Sequence, residues 1–333
     1  MAANRTGTAA RLVAAGVAIA GLLGLGLFVA RAGAGAEPEL PPVSPEELVS
    51  SVLAADPGPF AGTVERVNAL GLPAQPELPE AAADGTTTAR VWSAGDGRGR
   101  MAVPSRGGER TVVADGTTLW VWNSAERTVV RRPVDNAHGR PADPTATATE
   151  ALARLHPTST VTVDGTAEVA GRPAYELVLA PLPTERTLLR EVRIAVDAQE
   201  RIPLRLTVLA VGSADPALQV GFTDLQFGEQ DPALFTFTPP PGATVEEAPA
   251  RGEGRRDADV TTVGDGWDTV LVARRDQARE RPPELATLGT PVSGAWGSGR
   301  VISTAVATAI VADDGRVAAG AVPEQVLAEA LSG

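Results

Sequence analysis

The residue types that perform acid–base or metal chemistry are few and scattered in this chain. Of its two histidines, His138 stands in "DNAHGRPAD", a loop composition, and His156 in "LARLHP", where a helix end before proline already accounts for it through the dipole. The sequence holds no HExxH, no paired His at metal spacing and no GxSxG. Asp313-Asp314-Gly315 is too short for a calcium loop, which spreads its oxygen ligands over about 12 residues. "GDGRGR" at 95–100 has the glycines of a phosphate loop but leads into a strand, with no helix N-terminus to receive the anion. Cysteine is absent, which removes disulfides, thiolate metal sites, a Cys nucleophile and a lipobox cysteine. An acid pair could work on a sugar, yet aromatics are only 4% of the chain, thin for a stacking cleft. Trp120 and Trp122 share one face of "TLWVWN", as strand packing requires. No enzyme activity, cofactor or metal is expected.

The spacing that stands out is apolar and has period two. Tyr175, Leu177 and Leu179, then Val192, Ile194 and Val196, then Leu204, Leu206 and Val208, and finally Val220 and Phe222 each fall on one face of a strand. Glu176, Glu191, Arg193, Arg205 and Gln219 take the opposite faces, the alternation of an antiparallel sheet with one dry side. A dry side must be covered, and the soluble part offers only three helices, two of them near ~16 Å long at 1.5 Å per residue. The sheet therefore either curls and fills its own interior or encloses an apolar cavity. In the second case these alternating residues are the candidate cavity lining.

The elements that position them follow from local signals. Residues 12–30, "LVAAGVAIAGLLGLGLFVA", carry no charge and match the roughly 20 apolar residues that span a bilayer. Arg5 and Arg11 precede this stretch and acidic residues follow, which puts 1–11 in the cytoplasm and the remainder outside. The stretch serves as a retained anchor or, cleaved at "AGA" sites near 32–36, as a signal peptide. After a spacer, 31–43, Ser44, Pro45 and Glu47 open a helix. Strand patterns then follow from "PFAGTVERV", punctuated by Asp-Gly pairs at 84–85, 96–97, 115–116, 164–165 and 314–315, each read as a hairpin turn. A second helix is expected over "TATATEALARLH", and "LFTFTPPPGATV" reads as a strand ended by proline. Residues 246–259 read as a charged linker, and 260–333 as a small β-rich extension that packs on the main sheet and closes in a helix after Pro323. The formal net charge of −12 argues against nucleic acid as a partner, and every basic residue other than the histidines is Arg, as in GC-rich bacterial genomes.

Residues 44–246 resemble the LolA/RseB-like superfamily, through "GRPAYELVLAP", the "VD…RIPLRL" hairpin, "LFTFTPPPGATV" and "VVADGTTLWVWNSAERTVVRRP". The likeness is greatest to actinobacterial membrane-anchored, outer-membrane lipoprotein carrier-like members. It implies a mainly β (α+β) fold: an N-terminal transmembrane or signal helix, then a curved, unclosed antiparallel β-barrel over 44–245 capped by helices, with acyl chains between. A retained anchor departs from a carrier that diffuses between membranes, and the family's lid-latching Arg matches no residue here. Region 260–333 resembles, in position and in "VGDGWDTVLVA", the second domain of RseB, a sensor that restrains an anti-sigma factor. The expected function is an extracytoplasmic binding protein that shelters acyl chains of a lipid or lipoprotein and meets the membrane through its N-terminal helix. The alternative is an RseB-like envelope-stress regulator with a membrane protein partner.

Overall fold

The structure, a computed structural model, describes residues 38–72, 83–105, 107–134, 144–248, 260–274 and 289–333. The expected membrane segment 12–30, His138 and most of the expected linker lie outside these residues. Among the described residues no helix is long and apolar enough to cross a membrane.

Among the described residues, two sheets and three α-helices make up the fold. The chain runs α1 (Pro45–Ala54), β1 (Phe60–Asn68), β2 (Gly85–Ser93), β3 (Gly99–Ser105), β4 (Gly108–Ala114), β5 (Thr118–Asn123) and β6 (Thr128–Pro133). After α2 (Pro144–Leu155) come β7 (Ser159–Val169), β8 (Arg172–Pro181), β9 (Leu189–Asp197), β10 (Pro203–Ala210), β11 (Pro216–Phe227) and β12 (Thr244–Glu247). These strands form one twelve-stranded sheet in the order β12-β6-β5-β4-β3-β2-β1-β11-β10-β9-β8-β7. Its end strands do not pair with each other, so the sheet is unclosed. Four strand spacings of ~4.8 Å would hold β7 about 19 Å from β11 in a flat sheet, yet their Cα atoms approach within 8 Å. The sheet is rolled at that end.

Helix α1 begins where the sequence places it. Ser44 accepts a hydrogen bond from the Glu47 amide at 3.1 Å, and Pro45 occupies the first turn, where no amide partner is needed. The helix buries Leu48 completely against Tyr175, Leu177 and Val196. The segment before it runs over the same strands: the Tyr175 hydroxyl donates to the Pro41 carbonyl at 3.0 Å and the Thr166 hydroxyl to the Pro38 carbonyl at 2.8 Å. Helix α2 packs on α1 and buries Ala148 and Leu152.

Three local readings are corrected. Asp164-Gly165 is not a hairpin turn: β7 runs through it, and the pair forms a bulge between Val163 and Thr166. The positive φ of Gly165, 88°, is spent on that bulge, and the chain reverses at Ala170-Gly171 instead. Residues 232–238 form no strand; Asp231 caps a 3-10 turn over Pro232–Phe235 by accepting from the Ala233 amide at 2.9 Å. The proline there favours a turn over a ladder position. Finally, the meander is not wholly antiparallel, because β12 returns to pair parallel with β6.

The 3-10 turn and the residues after it lie on the side of the sheet away from α1. Phe235 is buried at 2% exposure with Arg98 over its ring, and Phe237 meets Trp120 at 5.6 Å. Val113 and Val129, on that same side, are fully buried.

The β4–β5 turn is held by Asp115, which accepts from the Thr117 and Thr118 amides at 2.9 and 2.8 Å and from the Trp120 indole at 2.9 Å. Burial alone would raise this carboxyl, but the Trp120 indole, the two amides and the Thr117 hydroxyl outweigh it and lower its pKa to about 2. Its stabilisation is therefore complete above the unfolded pKa near ~4 and disappears as pH falls through about 2. The stability deficit of Asp115→Ala relative to wild type is expected to be constant above pH ~5 and to shrink from pH ~4 to ~2, as followed by urea unfolding. A deficit independent of pH would contradict this assignment.

The remaining strands, β13 (Val260–Val263), β14 (Val270–Arg274), β15 (Thr290–Gly294), β16 (Gly297–Ser303), β17 (Thr308–Ala312) and β18 (Arg316–Gly320), make a second, six-stranded sheet. Helix α3 (Glu324–Ser332) packs on it, burying Val326, Leu327 and Leu331 with Val270, Trp296 and Ile310. This unit has its own core rather than using the face of the large sheet. Loops join the two: the Leu188 amide donates to Ala321 at 2.8 Å, the Ala305 amide to Leu70 at 2.8 Å, and the Trp267 indole to Ser159 at 2.7 Å.

Candidate functional site

The alternating residues named from the sequence do share a face. Leu177 pairs with Ile194, Ile194 with Leu206, and Leu206 with Val220. Leu179, Val192 and Val208 form the next row, Tyr175 pairs with Val196, and Phe222 follows Val220 by two positions. Leu204 is the exception, sitting at the bulge between Pro203 and Arg205. This is the side that carries α1, here called the helical face. Tyr175, Leu177 and Val196 are buried beneath Leu48, with Leu179 and Ile194 packed at the margin. Leu204, Val220 and Phe222 are buried in a second cluster with Val64 and Leu225, and Leu206 packs against it. Val192 and Val208 are half-buried. Five of the eleven expected lining residues thus pack with α1, and four more belong to the second cluster.

The same face continues past α1 over β1–β6. Gly62 makes the junction: it sits opposite Leu225 and Val91, and a Cβ there would stand 2.6 Å from the Asp224 carbonyl oxygen and 2.9 Å from the Phe222 ring. The absent side chain lets Phe222 lie across β1. Beyond it, Val91, Met101, Val112, Val121 and Val130 occupy successive positions of one register row across β2 to β6. All five are only half-buried. The row spans about 19 Å at ~4.8 Å per strand. Beside it runs a second row, Ser93, Gly99, Ala114 and Leu119, whose first three members are small.

Charge is sorted across the sheet. The ionisable residues in register on the helical face of β1–β6 are Arg66, Arg110 and Arg132, and β12 adds Glu246 beside Val130 on that face. Burial lowers the pKa of Arg66, and on the opposite face burial raises that of Glu65. Acid–base pairs gather on the opposite face and at turns, as in Arg205–Glu176 at 2.8 Å, Arg193–Glu191 at 2.8 Å and Arg98–Asp96 at 2.8 Å. Trp92 and Trp120 also point to that opposite face, in one row with Arg100 and Arg131.

The described residues include no group of three His, Cys, Asp or Glu that could hold a metal, and His156 is exposed at the end of α2. Two concavities, of about 460 and 310 Å³, lie on the C-terminal sheet and not on the large one. Sequence reasoning missed the valine row. Its signal was present in "RMAVP", "RTVVA", "TLWVW" and "RTVVRRP", but each of these strands is apolar on both faces.

No family model and no curated protein matches the chain. Solved structures do resemble it. A chain of the Pseudomonas aeruginosa MucA/MucB complex is 16% identical with a TM-score of 0.49, covering 86% of this chain and 96% of that one. A LolA superfamily protein from Nitrosomonas europaea is 14% identical with a TM-score of 0.26, covering 59% of this chain and 99% of that one. A putative outer membrane lipoprotein-sorting protein domain from Vibrio parahaemolyticus is 14% identical with a TM-score of 0.24, covering 57% and 95%. Similar solved structures thus include a MucA/MucB chain and a LolA superfamily protein. None of these likenesses assigns a ligand or a residue role to this chain.

Proposed function

We propose that this is an extracytoplasmic binding protein that shelters acyl chains of a lipid or lipoprotein on the helical face of its large sheet, tethered to or exported across the membrane by residues 12–30. The observation that supports it is the half-buried row from Val91 to Val130, which continues in register through Gly62 to Leu225 in the second buried cluster. Side chains of this type bury methylenes at ~0.8 kcal/mol each and need no covalent step. The residues first named for the lining, from Tyr175 to Phe222, act in this reading as the floor on which α1 and any bound chain meet.

Mass spectrometry of an organic extract of the purified full chain tests this reading. A stoichiometric acyl species that survives gel filtration is the expected result. A stable protein that is empty and takes up no added lipid would overturn it.

A second reading, a regulator that engages a membrane protein partner, draws on the C-terminal unit. Val260, Val263 and Leu271 on β13 and β14 are 54%, 41% and 50% exposed, and β13 is a sheet edge. Exposed apolar residues on a free edge suit strand addition by a partner. Removal of residues 260–333 with lipid retention intact and partner capture lost would favour this role.

A further inference from the structure

We infer that the helical face measures the length of the acyl chain it binds, with the polar end of the ligand at β12 and the methyl end stopped by Phe222. This rests on the acyl-binding reading and adds to it a direction and a limit. The two ends of the valine row differ. At one end the row is open: β12 is the last strand of the sheet and sets Glu246, exposed, in register with Val130. Apolar burial beside a hydrated carboxylate is unfavourable, whereas the polar end of an amphiphile is at home there. Arg132 stands two positions from Val130 on the same face, so this end carries one charge of each sign and selects for polarity rather than for an anion or a cation.

At the other end the row is closed. Val91 packs against the second buried cluster, and the next strand, β1, offers Gly62 in register with it. The Phe222 ring fills the space above Gly62, where a Cβ would stand 2.9 Å from it, and Phe60 holds that ring in an edge contact at 6.1 Å. Phe222 is 7% exposed, so its ring is part of the core and does not swing aside without breaking that packing. A chain that enters from β12 therefore follows Val130, Val121, Val112, Met101 and Val91 and goes no further. Between β6 and the ring lie four to five strand spacings, about 19–24 Å at ~4.8 Å each. An extended chain advances ~1.25 Å per carbon, given C–C bonds near ~1.5 Å, so about 16 carbons fill the row. Each further carbon leaves the bilayer without finding a place on the protein, which lowers occupancy about fourfold, the equivalent of ~0.8 kcal/mol per methylene.

The test uses the full chain in phosphatidylcholine nanodiscs, with zwitterionic lysophosphatidylcholine probes that carry a diazirine at the last carbon of chains of about 12, 16 and 20 carbons. Crosslinks are mapped by mass spectrometry. The middle probe is expected to label peptides that contain Val91 or Phe222, and the short probe those of β3 and β4. The long probe is expected to label the face at least about tenfold less than the middle one. Val91→Asp is expected to move the limit back by one strand, cutting labelling by the middle probe about tenfold or more and sparing the short one. Phe222→Leu, which keeps an apolar residue in the core, is expected to raise labelling by the long probe. Circular dichroism checks that both variants are folded. Equal labelling by the middle and long probes, unchanged in Val91→Asp, would overturn the length limit and leave acyl binding standing. Crosslinks from the last carbon at β6 and β12 would overturn the direction. Absence of labelling by every probe would overturn both this inference and the acyl-binding reading.

Discussion

Val121→Asp is expected to abolish acyl retention while leaving the protein folded. Val121 is the fourth of five residues in the half-buried row, with Val112 on one side and Val130 on the other. A carboxylate there is solvated in the empty protein, so the fold loses little; substitutions outside buried features usually cost within about 0.5 kcal/mol. A chain laid along the row must strip water from that carboxylate, and such desolvation costs several kcal/mol. Retention is expected to fall by about 100-fold or more, equivalent to ~2.7 kcal/mol. Gel filtration followed by lipid extraction measures it, with circular dichroism confirming the fold. Wild-type lipid content in a folded Val121→Asp protein would remove the valine row from the binding surface. Leu177→Asp is a poorer test of binding, since Leu177 is 6% exposed and buried with Leu48, so the change would dislodge α1.

Asp197→Ala is expected to destabilise the large sheet by about 3 kcal/mol or more, since it leaves a partly buried guanidinium without its counter-charge. Asp197 is fully buried at the β9–β10 turn, where it accepts hydrogen bonds from the Arg172 guanidinium and, at 2.8 Å, from both the Gln199 and the Glu200 amide. Arg172 also lies over the Phe227 ring at 4.8 Å, so one carboxylate ties the β7–β8 turn to the β9–β10 turn and to the end of β11. Burial alone would raise the Asp197 carboxyl, but Arg172 and the two amides outweigh it and the net shift is downward. A carboxyl lowered by folding stabilises fully above its unfolded pKa near ~4 and loses that contribution as pH falls through the folded value. The gap between wild type and Asp197→Ala should therefore be widest near neutrality and close below pH ~4 in denaturant titrations. A gap under about 1 kcal/mol at pH 7 would show that the pair contributes little beyond its own desolvation.

Much of the local structure was legible because it depends on neighbours in sequence. Ser44, Pro45 and Glu47 dictate the start of α1, since a side-chain oxygen, a missing amide donor and an accepting helix turn act within one turn of chain. Asp96-Gly97, Asp115-Gly116 and Asp314-Gly315 close hairpins because glycine takes the positive φ these turns require. Asp164-Gly165 has the same chemistry but a different outcome. Pairing with β8 continues on both sides of it, and a positive φ serves a bulge as well as a turn.

What the sequence determined by itself is the alternation: which residues of β8 to β11 share a face, and that this face is apolar. Only the tertiary structure decided which part of that face stays open. The cover is α1, about 15 Å long at 1.5 Å per residue, and it lies over Tyr175, Leu177 and Val196, the residues the pattern had marked most clearly. In β2 to β6 both faces are apolar, so the pattern could not say which side Val112 or Val113 would turn to water. The segment after β11 settles it, since Phe235 and Phe237 lie on the Val113 side and leave Val91, Met101, Val112, Val121 and Val130 half-exposed on the other. The physical reason is one of range. Alternation is fixed by the pleat of a single strand, whereas exposure depends on what distant segments of chain come to rest on it.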